Sequence, residues 1–521
     1  MPKMYILGKS WLDSYLDYSL CEGRVRIQVS CWANVARVSN MFLEYPRNPL
    51  IIWEYLKEVG VRAVIRKIRS RMNESLRNEV YYSVGLGKIV ESEDSGAWPD
   101  GMAVAFLAPS HPKCVERIVA PSCLVRPVSE DVLAAHADSA GIRLYPEGPK
   151  DALVESLVGW QPESGTPADE EGLRRVFEAQ EAYWNTEPGS FELLPVATPS
   201  PVEQRAARAG DKPGAAMTGI VFGMGNYAKT QIIPNVDRYI QIQAVHELNP
   251  TQIGRVGNQP WSVSTSLDCP EDSRYDVHFM AGYHHTHTEQ AIVALERGAV
   301  AVVEKPLVTT ESQLERILET LRRTKGKLFT CFHMRYNPLF ALAREDLAVE
   351  PGDPIHYACD VFEVALPRYH WYRWPNSGSH LISNGCHWID HFLFMNDYAR
   401  PRRQQVIKAS NGDTTVTAEL ENGASLHLHL THEGSPRIGV QDHVTMRAKD
   451  RTVTVMNGSR YLAEGRIRVL RRKRTSRMDA YSRMYRTIAA AIKKGEPGDS
   501  LHSIQVMNGL MLDMENAWQG R

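Results

Sequence analysis

The chain has 521 residues, with 60 Lys and Arg against 61 Asp and Glu, so it carries no global field to draw nucleic acid or an anionic membrane. That length leaves room for roughly two to four domains, and the balanced charge favours a small-molecule partner. Eight cysteines, at 21, 31, 114, 123, 269, 331, 359 and 386, form no Cys-x-x-Cys pair, and so indicate neither a disulfide framework nor a zinc ribbon. The N-terminus lacks a long apolar h-region, and no run approaches the roughly 18 apolar residues of a membrane helix; a soluble protein in a reducing cytoplasm is expected.

In chain order, a basic helix over 49–77 and short strands over 80–91, 103–107 and 123–128 predict an α+β module filling residues 1–160. Residues 161–215, rich in Pro, Ala, Glu and Gly, read as a linker around one helical piece at 169–184. From Thr218 apolar strand runs alternate with helices: strands over 219–222, 241–247, 277–281, 299–303 and 327–332, and helices from 228, over 286–297 and over 311–324. Strands separated by helices specify a parallel, doubly wound sheet, here a nucleotide-binding Rossmann domain over 216–340. After residue 350 the pattern changes to alternating strands over 354–364, 405–410, 414–421, 425–432, 443–448 and 452–455, with a helical insertion near 380–396 and closing helices over 480–494 and 500–518. This predicts an α+β domain over 341–521, its open and mostly antiparallel sheet having one face on helices and the other free for a partner subunit, hence a homo-oligomer.

Gly223-Met-Gly-Asn-Tyr-Ala228 has the form G-x-G-x-x-A after an apolar strand. Gly223 permits the tight turn, Gly225 lets the backbone approach a pyrophosphate, and Ala228 lets helix and strand pack closely, with Asn226 and Tyr227 between them at the helix N-terminus. Glu247 ends the next strand, 24 residues after Gly223, where a carboxylate accepts from a ribose 2′-OH and repels a 2′-phosphate. NAD is therefore expected in preference to NADP.

His287 precedes the next helix, Glu304-Lys305-Pro306 follows the strand after it, and Ser377-Gly-Ser-His-Leu-Ile-Ser-Asn-Gly-Cys-His-Trp-Ile-Asp390 comes later. With the glycine loop and Glu247, these motifs make the chain from Ala216 onward resemble the glucose-fructose oxidoreductase, inositol dehydrogenase and MocA family. The resemblance implies that Glu304, Lys305, Pro306 and His287 lie at the cofactor, that a cis bond before Pro306 aims Lys305 into the cleft, and that Lys305 holds the reacting oxygen. An ammonium there stabilises a developing alkoxide. The resemblance also gives His387 as the acid/base group. The family's aspartate four residues earlier is Ser383 here, which can bond substrate but adds no charge to tune the imidazole. A relay through Lys305 alone, or through Tyr369 or Tyr372, is the alternative, and Asp390 is read as structural. Arg335 and Tyr336 fall where the family lines its cleft.

Tyr369, Trp371, Tyr372 and Trp374, with Arg368 and Arg373, offer stacking surfaces for a sugar, a nucleotide or an aromatic substrate; equally, they pack a loop over the sheet edge. His284, His285 and His287 have no second ligand cluster, so no metal is expected. The basic run 467–477 reads as a solvated strand end. Residues 45–130 loosely resemble the GroES-like half of medium-chain alcohol dehydrogenases, without that family's zinc motif, and read as a non-catalytic lid or assembly surface. The function expected from all of this is NAD-dependent hydride transfer between nicotinamide and a carbonyl or secondary alcohol of a sugar, nucleotide sugar or specialised-metabolite intermediate. An imine or C=C reductase, or a non-catalytic NAD-binding sensor, is the alternative.

Overall fold

The computed structural model describes residues 24–39, 79–92, 96–110, 117–121, 125–145, 170–186, 189–195, 217–225, 227–247, 261–264, 269, 274–366, 372, 377–436 and 439–520. They build three sheets. The basic helix expected over 49–77 lies outside the described residues.

The first sheet holds β1 (Arg24–Ser39), β2 (Glu79–Ser92), β3 (Ala103–Ser110), β4 (Arg117–Pro121) and β5 (Val125–Pro127), then, after helix α1 (Glu130–His136), β6 (Gly141–Tyr145). Helix α2 (Glu170–Trp184) and β7 (Glu192–Pro195) follow. The order is β5-β3-β2-β1-β6-β7, with β4 also beside β1. Only the β1–β6 pair is parallel. The stretch read as a linker is therefore partly structural. Its β7 pairs with β6, and α2 is fastened by its side chains: Gln180 Nε2 donates to the Phe106 carbonyl at 3.4 Å, and the Trp184 carbonyl lies 2.9 Å from Nε2 of buried His136. Pro and Gly around these pieces marked turns, and the apolar faces between the turns found a sheet to cover.

In the second sheet, β8 (Met217–Phe222) leads through the turn of π-helix Ala228–Ile232 into α3 (Ile233–Val236). Then come β9 (Ile240–His246), β10 (Ser262–Ser264), β11 (Val277–Met280), α4 (His287–Glu296), β12 (Val300–Val303), α5 (Glu311–Thr324) and β13 (Leu328–Thr330). All pairs are parallel, in the order β10-β9-β8-β11-β12-β13. Read along the chain this is 3-2-1-4-5-6, the Rossmann arrangement, whose order reverses between β8 and β11 and opens a crevice at the strand C-termini. All four residues of β11 are buried, as a sheet covered on both faces requires. Thr310 caps α5 by accepting from the Gln313 N–H at 3.3 Å.

The third sheet follows α6 (Ala343–Leu347) and holds β14 (His356–Phe362), then, after α7 (Cys386–Met395), β15 (Pro401–Lys408), β16 (Thr414–Leu420), β17 (Ser425–Thr431), β18 (Gln441–Ala448), β19 (Arg451–Met456), β20 (Arg460–Glu464) and β21 (Val469–Arg474). Its order is β15-β16-β17-β14-β18-β19-β20-β21, antiparallel except for β14–β17. Strict in–out alternation along β16 and β17 places Val416, Leu426, Leu428 and Leu430 in one core with α7 and the last helix, and turns the threonines and histidines of the other face outward. The basic run expected as a solvated strand end forms β21.

The two closing helices, α8 (Asp479–Lys494) and α9 (Leu501–Gln519), part company. Helix α9 joins the core of the third sheet, whereas α8 buries Met484, Tyr485, Ile488 and Ile492 with Val221, Ile232 and Phe279 of the second. A domain boundary at 340 is thus crossed by α8. The short helix after β8 leaves apolar sheet surface open, and the amphipathic face of α8 covers it. Between α8 and α9 the chain runs against β13: the Asp499 N–H donates to the Leu328 carbonyl at 2.8 Å, and the Thr330 N–H donates to Asp499 Oδ2 at 2.9 Å. A Cβ on Gly498 would stand 2.2 Å from the Leu328 carbonyl oxygen. Gly498→Ala is therefore expected to cost about 1–3 kcal/mol through overpacking, read as a lower urea midpoint; an unchanged midpoint would show that the segment can shift freely.

Candidate active site

The glycine loop lies at the C-terminal end of β8. Gly223 has φ +92°, and a Cβ there would meet the Gly282 nitrogen at 2.4 Å, so both the turn and the neighbouring strand end demand glycine. Nothing lies within 4 Å of where a Cβ of Gly225 would stand, which leaves the backbone open to a phosphate. Glu247, one residue beyond β9, is buried and accepts from the Met224 N–H at 2.5 Å. The expected carboxylate and the expected loop are thus joined, and the cradle suits a dinucleotide. Ala228 is fully buried against the sheet. Tyr227 instead turns to α8, its ring 6.0 Å from that of Tyr481 and 6.3 Å from that of Tyr485. Asn226 lies outside the described residues.

Lys305 follows β12, and its peptide bond to Pro306 is cis. Its Nζ donates to the main-chain carbonyl of Ser383 and stands 5.7 Å from the centre of the Tyr372 ring. Burial opposes the ammonium, but the fields of Tyr372, Cys386 and Glu304 outweigh it and hold Lys305 above the ordinary lysine value, so it stays charged at neutral pH. Ser383 belongs to the π-helix Leu381–Gly385, which runs into α7. Its carbonyl, not its hydroxyl, meets the lysine.

His387 lies one turn beyond Ser383 on α7, so the same helix presents both partners. It is 8% exposed, and its Nδ1 is buried without a hydrogen bond, which leaves Nε2 to address the cleft. Burial first, then the charge of Lys305, keeps its pKa well below the ordinary imidazole value. A neutral ring results. His387 lines a cavity of about 350 Å³ together with Tyr227, His333, Asn384, Arg477 and Tyr481. The Rossmann strand ends, α7 and α8 all contribute to its wall.

Several residues expected at the cofactor or substrate serve the framework instead. His287 has Nδ1 2.8 Å from the Pro306 carbonyl and Nε2 3.2 Å from the Gly282 carbonyl; the neutral ring has one N–H and donates it to one of them, the nearer being Pro306. It positions Lys305 through Pro306. Glu304 is buried beneath the loop, accepting from the Tyr485 hydroxyl, and burial raises its pKa. Arg335 donates from Nε to Asp390 Oδ2 at 2.8 Å and from Nη1 to Asp499 Oδ1 at 3.1 Å, with a further bond from Nη2 to Asp390. Three of its five N–H groups are thus taken by protein carboxylates, and it is not among the residues lining the cavity. Tyr336 packs on the core of the Rossmann sheet and α8 and is not part of the cavity wall. Tyr372 sits beside Lys305 and 4.7 Å from the ring of His284, which itself faces the Ser377 carbonyl at 3.2 Å. Tyr369, Trp371 and Trp374 lie outside the described residues. Among the described residues no group of three His, Cys, Asp or Glu is placed to hold a metal, and no helix is long and apolar enough to cross a membrane. His333, Asp442 and Tyr481 are cavity residues that the sequence did not single out, and Arg477, expected at a solvated strand end, lines the cavity with them; only folding gathers them.

Residues 218–332 match the oxidoreductase family with the NAD-binding Rossmann fold, and this part of the chain belongs to the glucose-fructose oxidoreductase, inositol dehydrogenase and MocA family. Trans-1,2-dihydrobenzene-1,2-diol dehydrogenase of Xenopus tropicalis is 21% identical over 176 residues, 32% of this chain and 52% of that protein. Its counterpart in Xenopus laevis is 20% identical over 204 residues, 36% of this chain and 59% of that one. The chain spans between 17% and 59% of the length of the curated relatives it matches. A solved dehydrogenase from Chromobacterium violaceum shares the fold at 16% identity and a TM-score of 0.50, covering 58% of this chain and 96% of its own.

Two measurements probe the framework. Arg335→Ala leaves Asp390, wholly buried, without its cation, and should cost about 3–5 kcal/mol of unfolding free energy in urea; a cost near zero would mean that Asp390 is protonated or solvated. Burial also lowers the pKa of several imidazoles, to about 3 for His278, His333 and His391 and about 4 for His287, from an ordinary 6.5. The unfolded chain then binds more protons than the fold from pH 6.5 down to about 4, so stability falls as pH falls through that window. Burial pushes Glu304, Glu363 and Asp390 the other way and blunts the effect. The melting temperature should decline between pH 6.5 and 4; a flat profile would show these rings protonated in the fold.

Proposed function

We propose that the chain is an NAD-dependent oxidoreductase acting on a carbonyl or secondary alcohol of a sugar, nucleotide sugar or related biosynthetic intermediate. The observation that carries this reading is the single turn of helix that holds Lys305 through the Ser383 carbonyl and, at its next turn, presents His387 to the adjoining cavity. The open backbone at Gly225 and the Met224–Glu247 bond would hold the pyrophosphate and the adenosine ribose. When bound, the nicotinamide gives or takes the hydride. Lys305, charged and fixed, donates to the substrate oxygen and stabilises alkoxide character as it develops. In the oxidising direction neutral His387 takes the hydroxyl proton, and in the reducing direction it returns that proton. Glu247, a carboxylate at the ribose, favours NAD over NADP. The outward face of the third sheet, where Thr415, Thr417, His427 and His429 are exposed or half-buried, suits a second copy of the chain. The first sheet contributes no described residue to the cavity and fits a non-catalytic role.

Lys305→Ala should lower kcat/KM by about 10²–10³-fold with the NADH dissociation constant held within about twofold, as expected for a group that acts on transition-state charge. The checks are NADH fluorescence titration and nicotinamide absorbance over a panel of sugars, nucleotide sugars and ketones. Unchanged turnover would remove Lys305 from the mechanism; a protein that binds NADH but exchanges hydride with none of the panel would favour a sensor.

A further inference from the structure

His333 begins the turn after β13, at the C-terminal edge of the Rossmann sheet. Its ring stacks on Tyr481 with centroids 4.1 Å apart and planes 12° from parallel, and stands edge-on to His387 at 4.6 Å. Its Nδ1 is buried without a hydrogen bond, and no described residue bonds its Nε2. Among the described histidines, His136 spans Tyr145 and Trp184, His287 lies 2.8 Å from the Pro306 carbonyl and His391 lies 2.9 Å from the Tyr357 hydroxyl, while His278 Nδ1 and His391 Nε2 are buried without a bond but line no part of this cavity. The His333 ring as a whole is half-buried, but its Nδ1 is buried and unpaired, and such an atom forfeits its water without return. His333 is kept where its nitrogens can meet something that enters the cavity. Both it and His387 are neutral for the reasons given above, so each offers one N–H and one lone pair.

We propose that His333 is a second substrate-contacting imidazole, and that it and His387 together engage two adjacent oxygens of one substrate, so that the pocket selects a vicinal diol or an α-hydroxy carbonyl over a lone alcohol or ketone. This rests on the oxidoreductase reading for the roles of Lys305 and His387. Lys305 and His387 take the reacting oxygen, and His333 takes its neighbour. Ser383 brings no carboxylate on the turn before His387, and the His333 ring brings an acceptor from a different element. The fixed stack on Tyr481 keeps that acceptor from rotating away, so little entropy is lost when a ligand binds.

The test is calorimetric titration of trans-1,2-cyclohexanediol and of cyclohexanol into the protein with NADH, for the wild type, His333→Phe and His333→Gln. The wild type should bind the diol about threefold to tenfold more tightly than the monoalcohol, the worth of one hydrogen bond. His333→Phe keeps the stack on Tyr481 and removes both nitrogens; the ratio should fall to about one, and His333→Gln should restore part of it. Retention of the wild-type ratio in His333→Phe, or no preference for the diol in the wild type, would overturn the proposal. NADH fluorescence and hydride transfer are read separately: their loss alongside an intact diol preference would defeat the oxidoreductase reading and leave the histidine pair standing.

Discussion

An ammonium held inside a protein needs its N–H groups met and its charge balanced, and Lys305 imposes that demand where the Rossmann sheet meets the third sheet. The Ser383 carbonyl answers the first need, and Glu304 and the face of Tyr372 help answer the second. Because that carbonyl lies one turn before His387, satisfying the lysine also sets the position of the histidine. The charge of Lys305 in turn helps keep His387 and His333 unprotonated. One contact therefore sets the position of His387 and adds to the burial that keeps both imidazoles neutral.

The supports around this contact are themselves buried polar networks, each joining elements far apart in the chain. Glu304, directly before the lysine, receives the Tyr485 hydroxyl and so ties the end of β12 to α8. Arg335, Asp390 and Asp499 join the end of the Rossmann sheet, the helix bearing His387 and the segment between α8 and α9. His287 stands behind Pro306, its Nδ1 2.8 Å from the Pro306 carbonyl. Removing one member of such a network strands a buried charge or dipole, whereas the intact set restricts the cleft to one arrangement.

Helix α8 carries a double burden. Its apolar face completes the core of the Rossmann sheet, and its Tyr481 forms one wall of the cavity and the platform under His333. Packing of the Rossmann core and shape of the cavity are thereby coupled, and a substitution on the buried face of α8 reaches the cavity through Tyr481.

What can be read along the chain is whatever has a local period or a local motif. The alternation of apolar runs and helices over 217–330, the match of α5 to its expected span, the G-x-G-x-x-A turn and its acidic partner, and the approximate strands of the third sheet are all of this kind. Lys305 and His387 were legible because each sits in a short motif whose spacing is tied to a strand end or a helix turn. The destination of α8, the pairing of β7 with the first sheet, the diversion of Arg335 and His287 to structural work, and the assembly of His333, Asp442, Arg477 and Tyr481 were not legible. Those outcomes depend on which buried charge finds which partner across more than a hundred residues, and on main-chain groups such as the Ser383 carbonyl that every residue carries alike. The sequence by itself determined that a Rossmann sheet with a dinucleotide loop forms, because periodicity and glycine stereochemistry act locally. Only the tertiary structure decided which polar side chains face the cleft and which are consumed beneath it, because that choice is made by desolvation and pairing between distant segments.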